Sequence, residues 1–317
     1  MADKIKFFID DKEVVAFKDE SIWSVAKRNG NTLPHLCYSD QSGYRPDGNC
    51  RACMVSIDGE RVLAASCIRK PTEGMKVYTN DERSVKSRKM VLELLVTDQP
   101  EKSCAYDPDS HFWKMADKVD VEDSRFDKRE KNKIPKTDLS NKAMSVNLDA
   151  CIHCNLCVRA CREVQVNDVI GMGMRGHSSK VIFDFDDPMG DSTCVSCGEC
   201  VQACPTGALM ESSLLNEKGT NNGKPDREVN SVCPYCGVGC QLTYKIKDEK
   251  IVAAVGRDGP ANNNRLCVKG RFGFDYVHNP ERLTKPLIRK KGIKKDPTEK
   301  LDPRNPLTHF KEVSWNE

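Results

Sequence analysis

Cys151-Ile152-His153-Cys154-Asn155-Leu156-Cys157-Val158-Arg159-Ala160-Cys161 and Cys194-Val195-Ser196-Cys197-Gly198-Glu199-Cys200-Val201-Gln202-Ala203-Cys204-Pro205 repeat one spacing, Cys-x2-Cys-x2-Cys-x3-Cys, at an offset of 43 residues. Three thiolates this close wrap one [4Fe–4S] cube, and the fourth crosses to the other. The pattern assigns Cys151, Cys154 and Cys157 with Cys204 to one cluster, and Cys194, Cys197 and Cys200 with Cys161 to the second. Tetrahedral zinc has no use for such a two-fold arrangement. The insert between the halves holds Gly171-Met172-Gly173-Met174-Arg175-Gly176. A dinucleotide grip needs a strand before such glycines, a helix after them and an acidic residue about 20 positions on. The insert is too short for that unit, so a turn packed on the two-cluster core is expected. His153 and His177 read as surface or supporting residues rather than ligands.

Two more groups of four flank this repeat. Cys37-x12-Cys50-x2-Cys53-x13-Cys67 lies before it, and Cys233-x2-Cys236-x3-Cys240-x26-Cys267 after it. Sixteen of the 17 cysteines are thus in sets of four, and only Cys104 is left over. The opening MADKIKFFIDDKE (1–13) is charged, the cysteine count is odd, and the spacings are tight. Those features oppose a secreted disulfide framework and lead to the expectation of a reduced, cytoplasmic protein. No apolar run has the length of a membrane span. The chain is 38% hydrophobic and 31% charged, as suits small domains whose folding is supported by metal ligation. Its formal charge of +3 is misleading. Four clusters at roughly −2 each would bring it to about −5, so no nucleic-acid partner is expected.

Residues 4–10 (KIKFFID) and 13–17 (EVVAF) read as paired strands, and 20–29 (ESIWSVAKRN) as a helix stopped by Gly30. Gly43, Pro46 and Gly48 let the chain wrap closely between Cys37 and Cys50. MVSI (54–57), the turn Asp58-Gly59 and RVLAAS (61–66) read as a hairpin. This order resembles the β-grasp [2Fe–2S] ferredoxin domain. Its long first gap is similar to the N-terminal domain of the complex I large NADH-dehydrogenase subunit, of [FeFe]-hydrogenases and of soluble formate dehydrogenases. A four-cysteine zinc site is the alternative, although zinc ribbons prefer two Cys-x2-Cys pairs and only one is present.

In those families the next segment usually carries a [4Fe–4S] cluster on one His and three Cys. Here residues 81–96 (DERSVKSRKMVLELLV) read as the expected helix. The following TDQPEKSCAYDPDSHFWKMADK (97–118) has Cys104 alone, Gln99-Pro100 where a His-Pro pair is expected, and His111 out of order. No cluster is expected there. Cys104 reads as an inert thiol, with a redox-active residue as the alternative. Residues 117–138 alternate in charge and read as a solvated linker or loop.

Cys233-Pro-Tyr-Cys236-Gly-Val-Gly-Cys240, the QLTYKI and KIVAAVG hairpin around Asp248-Glu249, and Cys267-Val-Lys269-Gly270 close the set. This region resembles the N-terminal [4Fe–4S] domain of molybdenum or tungsten bis-pterin oxidoreductases. In CPYCGVGC (233–240) and CVKGRFGFDYVHNPERLTKPLIR (267–289) it is similar to formate dehydrogenase catalytic subunits. The resemblance implies that Cys233, Cys236, Cys240 and Cys267 hold the [4Fe–4S] cluster nearest a Mo- or W-bis-pterin guanine dinucleotide, with Lys269 on the pterin side. The family's metal ligand and formate-handling His and Arg have no counterpart here, so no catalytic residue is assigned. The most economical expectation is the N-terminal part of a longer formate dehydrogenase α subunit; a freestanding truncated subunit is the alternative. The basic run 285–300 reads as a solvated strand and turn.

The expected fold is α+β and multi-domain. Residues 1–80 form a β-grasp [2Fe–2S] domain on Cys37, Cys50, Cys53 and Cys67, and 81–140 a degenerate cluster region with a charged linker. Residues 141–220 form a two-[4Fe–4S] ferredoxin domain, 226–285 a small β-rich [4Fe–4S] domain of the molybdopterin oxidoreductase type, and 286–317 the start of a catalytic pterin domain. The expected function is to pass single electrons between a pterin site and flavin/NAD(H)-handling iron–sulfur subunits, with ferredoxin or hydrogenase subunits as further candidate partners. The alternatives are a large iron–sulfur subunit of a complex I-like or hydrogenase complex and, from another class, a multi-zinc protein.

Overall fold

Ile5–Ile9 (β1) and Lys12–Ala16 (β2) pair antiparallel, from Ile5 opposite Ala16 to Ile9 opposite Lys12. Asp10 and Asp11 take positive φ between them, the geometry that matches a two-residue hairpin turn to strand twist. In this computed structural model residues 4–128, 135–221, 224–302 and 304–317 are described, apart from the side chain of His177. Residues 129–134 of the charged stretch lie outside that description.

The helix Ile22–Arg28 (α1) starts at Ser21, whose hydroxyl accepts the Ser24 N–H at 3.2 Å. It buries Ile22, Trp23, Val25 and Ala26 against the sheet, and Gly30 follows it as expected. Met54–Ile57 (β3), Ala64–Ala65 (β4) and Lys76–Tyr78 (β5) complete a five-stranded sheet of order β2-β1-β5-β3-β4. The expected hairpin forms only in part. Met54 and Val55 pair with β4, whereas Ser56 and Ile57 pair with β5, which also runs parallel to β1. Three residues have too weak a pattern to announce β5, and its partner strand is far away in sequence.

Glu82–Val96 (α2) begins at Asp81, which accepts the Ser84 N–H at 3.2 Å. Its buried Arg88 donates to the carbonyls of Met54 at 2.8 Å and Thr79 at 2.6 Å, tying helix to sheet. The next segment is more ordered than its charge suggests. His111–Lys118 (α3) is helical and buries Phe112 and Trp113 in a core with Leu36, Ala52, Leu92 and Val96. The solvated stretch therefore begins only after this helix, and Val121 is buried even there.

In the repeat region, Met144–Val146 (β6) pairs antiparallel with a later strand, Leu209–Glu211. Between them come Leu156–Arg159 (α4), which runs into a π-turn over Ala160–Val164, then the antiparallel pair Ile170–Gly173 (β7) and Lys180–Phe183 (β8), and Glu199–Ala203 (α5). Leu209–Glu211 is β9. Gly171 and Gly173 thus lie on a strand, and Gly176 opens a single 3-10 turn, Gly176–Ser178, that leads into β8, not the α-helix a dinucleotide grip requires.

Arg227–Val232 (β10), Gln241–Lys247 (β11) and Lys250–Gly256 (β12) form an antiparallel sheet in that order. Asp248 and Glu249 make the expected turn, both at positive φ. Val268–Phe272 (α6) follows. Met1–Phe272 forms one compact unit and Gly273–Glu317 a second. In the second unit Leu287–Arg289 (β13) pairs antiparallel with Phe310–Glu312 (β14). Among the described residues, no helix is long and apolar enough to cross a membrane.

Candidate metal centres

Cys37, Cys53 and Cys67 are at most 1% exposed, and Cys50 is half-buried beside them. Their thiols form a chain of neighbours, Cys50 beside Cys37, Cys37 beside Cys67 and Cys67 beside Cys53. Hydrogen bonds from the Cys50 and Cys67 thiols hold the Cys37 thiol far below its usual pKa, and the same bonds push the pKa of Cys50 and Cys67 up. Cys53 is held at about 7, chiefly by the Cys67 thiol. The Cys50 N–H also points at the Cys37 sulfur at 3.5 Å. Such crowding of sulfur donors suits a group that replaces the protons with metal. The loop closes because Gly48 has φ of +62° and a Cβ there would fall 2.1 Å from Ile68 Cδ1.

The repeat brings together the thiols that its spacing predicts. Cys151, Cys154, Cys157 and Cys204 line one cavity, of about 20 Å³, with Leu148, Val181 and Leu209. Cys161, Cys194, Cys197 and Cys200 line another, of about 10 Å³, with Val169 and Ile170. Backbone conformation repeats at the same offset as the cysteines. His153 and Ser196 both have φ of 52°, and Asn155 and Gly198 have 63° and 72°. These left-handed residues turn amides inward, a geometry that favours negative charge. The His153 N–H points at Cys151 Sγ at 3.5 Å, Ser196 N–H at Cys194 Sγ at 3.4 Å, and Val169 N–H at Cys161 Sγ at 3.3 Å. Burial pushes the Cys154, Cys157 and Cys200 thiols up, so the metal-free side chains hold their protons until a cation displaces them. His153 is exposed.

Cys233, Cys236, Cys240 and Cys267 line a larger cavity, of about 260 Å³, with Tyr235, Leu266, Lys269 and Gly270. This set is more open than the others: Cys236, Cys267 and Lys269 are exposed. β10 ends and β11 begins at the two ends of the Cys233–Cys240 loop, which is pinned by the Cys233 N–H donating to the Cys240 carbonyl at 2.8 Å. Cys267 is carried on the residue before α6.

Among the described residues, no three His, Cys, Asp or Glu side chains are placed to hold a single metal ion. Four thiols gathered around each of three cavities, with amides aimed at sulfurs in the repeat, are the donor set that an iron–sulfur group takes. Cys104 is exposed, and its sulfur lies 3.8 Å from Ser103 Oγ. Gln99 is buried and donates from Nε2 to the Ala150 carbonyl at 3.0 Å, next to Cys151. His111 Nε2 lies 2.7 Å from the His35 carbonyl.

The sequence reading missed a set of buried polar residues between the centres. Tyr44 donates to Glu199 Oε1 at 3.0 Å, and Arg271 Nη2 lies 3.3 Å from Glu199 Oε2. Tyr44 is 7% exposed, Glu199 1% and Arg271 0%. Burial, then the Glu199 charge, pushes the Tyr44 hydroxyl up and keeps it a donor. Arg159, 2% exposed, spans the first set and the repeat. The one hint in the sequence is that Arg159 and Glu199 sit inside the tight cysteine runs.

Three family models match the chain: a 2Fe-2S iron–sulfur cluster binding domain over residues 2–82, a 4Fe-4S dicluster domain over 150–208, and a molybdopterin oxidoreductase Fe4S4 domain over 226–279. The chain thus carries 2Fe-2S, 4Fe-4S dicluster and molybdopterin oxidoreductase Fe4S4 domains in that order. It is similar to a Staphylococcus haemolyticus protein named "Putative formate dehydrogenase", at 27% identity over 98% of this chain and 33% of that protein. "Probable oxidoreductase YjgC" of Bacillus subtilis is 28% identical over 100% of this chain and 34% of its own length. An NADH-quinone oxidoreductase component of Rhizobium meliloti is 30% identical over 91% of this chain and 33% of its own. The chain therefore spans about a third of the length of these curated relatives. Among solved structures, an NAD+-reducing [NiFe]-hydrogenase shares the fold, with TM-score 0.58 and 24% identity over 66% of this chain and 87% of that one.

Proposed function

We propose that these residues are the electron-transfer portion of a formate dehydrogenase, linking a molybdenum or tungsten bis-pterin guanine dinucleotide site to flavin/NAD(H)-handling iron–sulfur subunits. Cys37, Cys50, Cys53 and Cys67 would hold a [2Fe–2S] cluster, and each of the other three sets a [4Fe–4S] cluster. Bound clusters accept and release one electron at a time. The chain's own part is to supply thiolates, to aim amides at the sulfurs and to exclude water from the inner sets. Lys269, at the rim of the most open set, would offer a long cationic donor to the pterin. The domain limits proposed are 1–80, 81–140, 141–220, 226–285 and 286–317.

The observation that carries this reading is the exchange of fourth cysteines: Cys204 lines the cavity of the first triplet and Cys161 that of the second. The similarity to the Rhizobium meliloti NADH-quinone oxidoreductase component favours a second reading, a large iron–sulfur subunit of a complex I-like assembly. Elemental analysis of anaerobically purified protein separates the readings. About 14 iron atoms per chain are expected, two in the first set and four in each other set. Molybdenum or tungsten with formate-dependent dye reduction in the full-length protein supports formate dehydrogenase, and neither metal supports the second reading. About 18 iron atoms would place another cluster near Cys104. Zinc in place of iron would overturn both readings.

A further inference from the structure

Two buried arginines mark the edges of the two-cluster repeat. Arg159 Nη2 donates to the Cys37 carbonyl at 2.6 Å and to the Cys154 carbonyl at 3.4 Å, and its Nη1 donates to the Arg45 carbonyl. Its Nε lies 3.3 Å from Asp47 Oδ2. Arg271, in α6 after Cys267, donates from Nε to the Cys197 carbonyl at 2.8 Å and from Nη1 to Gln202 Oε1 at 2.9 Å. Cys154 and Cys197 are equivalent positions of the repeat, and so are Arg159 and Gln202. The middle-cysteine carbonyl is therefore capped by a guanidinium in both halves. In the first half the arginine comes from the repeat and reaches out to the Cys37 loop. In the second it comes from the Cys267 segment and reaches in, and Gln202 receives it where Arg159 would stand.

We propose that Arg159 and Arg271 are positioning residues for electron transfer: each clamps a loop of the two-cluster repeat to the neighbouring cysteine set and holds a buried positive charge beside both. This rests on reading the cysteine sets as cluster ligands. Reduction adds negative charge, so a nearby cation in a water-poor site raises the reduction potential. The planar fork fixes two backbones in a set geometry, whereas a lysine ammonium is a point charge on a flexible stem. Arg271 is faced by Glu199, buried like itself, whereas the Asp47 side chain facing Arg159 is 17% exposed and is shared with Arg45. The charge of Arg159 is the less neutralised of the two, so the first junction is the one to test.

The test uses anaerobic full-chain protein, with R159Q, R159K and D47N variants, iron analysis, and redox titration followed by electron paramagnetic resonance. R159Q is expected to lower the midpoint potential of at least one centre in the first two sets, and D47N to raise it. R159K should leave the potentials near wild type but slow electron exchange between those centres several-fold after pulsed reduction. If R159Q loses iron, D47N decides alone, because its side chain is a partly exposed counter-charge and no ligand. Full iron with unmoved potentials in D47N, and in R159Q where it is loaded, overturns the inference about the arginines only. Zinc in the wild-type protein overturns the ligand reading, and this inference with it.

Discussion

Gly198 and Asn155 occupy equivalent positions of the repeat and share a left-handed backbone, with φ of 72° and 63°, yet they should respond differently to substitution. A Cβ on Gly198 would lie 2.1 Å from Arg271 Cδ, 2.7 Å from its Nε and 2.8 Å from Phe272 Cζ. In G198A the left-handed conformation costs about 1–2 kcal/mol. The larger effect is on Arg271. Pushed aside, it gives up the Cys197 carbonyl and Gln202 and leaves Glu199, 1% exposed, with the Tyr44 hydroxyl. Stranding one partner of a buried ion pair costs about 3–5 kcal/mol. Native-state hydrogen exchange reads the local opening at the Gln202 amide, which bonds the Gly198 carbonyl at 3.1 Å, and at the residue-271 amide, which bonds the Cys267 carbonyl at 3.0 Å. G198A should lower protection there by several kcal/mol. In an R271A background the same change should cost only about 1–2 kcal/mol, because the Arg271 clash and the pair are already gone and only the far end of the Phe272 ring has to shift. N155G, with the same φ region, should be near neutral. Equal costs of G198A in the two backgrounds would refute the argument that Arg271 is what requires glycine.

Trp113, 1% exposed at the centre of the core between α2 and α3, should cost about 3–5 kcal/mol when replaced by alanine; thermal melts of W113A that match wild type would contradict its role as a brace. Q99A leaves the Ala150 carbonyl without its 3.0 Å donor and should cost about 1–3 kcal/mol at unchanged iron content; loss of iron would instead make Gln99 part of a centre. C104S should leave iron per chain unchanged, since the thiol is exposed and apart from the four sets; a drop of several iron atoms would count Cys104 as a ligand. Burial, then the nearby His111, lowers His35 from 6.5 to about 4. The unfolded chain therefore takes up that proton first, and the associated stability is complete above pH 6.5 and lost as pH falls towards 4. After allowing for partial exposure the loss is about 1–2 kcal/mol. The stability difference between wild type and H35Q should change by that amount across the window, and a flat difference would show that His35 does not titrate in it.

The cysteine sets, the Asp10-Asp11 and Asp248-Glu249 turns, and the helices from Ser21 and Asp81 were legible in the sequence because each depends on residues a few positions apart. The crossing of Cys161 and Cys204 was legible too, since it follows from a repeated local spacing. β5 was not, because a three-residue strand is stabilised by β1 and β3 and not by its own pattern. Nor was α3, whose charged flanks hide the Phe112–Trp113 face that the α2 core covers. Arg159, Glu199 and Arg271 were the hardest to find. Charge by itself predicts exposure, and burial becomes favourable only where folding supplies compensating partners. The sequence by itself determined how many cysteine sets there are and which thiols belong together. Only the tertiary structure decided what lies between the sets, because the carbonyls of Cys37, Cys154 and Cys197 become partners for buried arginines only once separate modules are packed together.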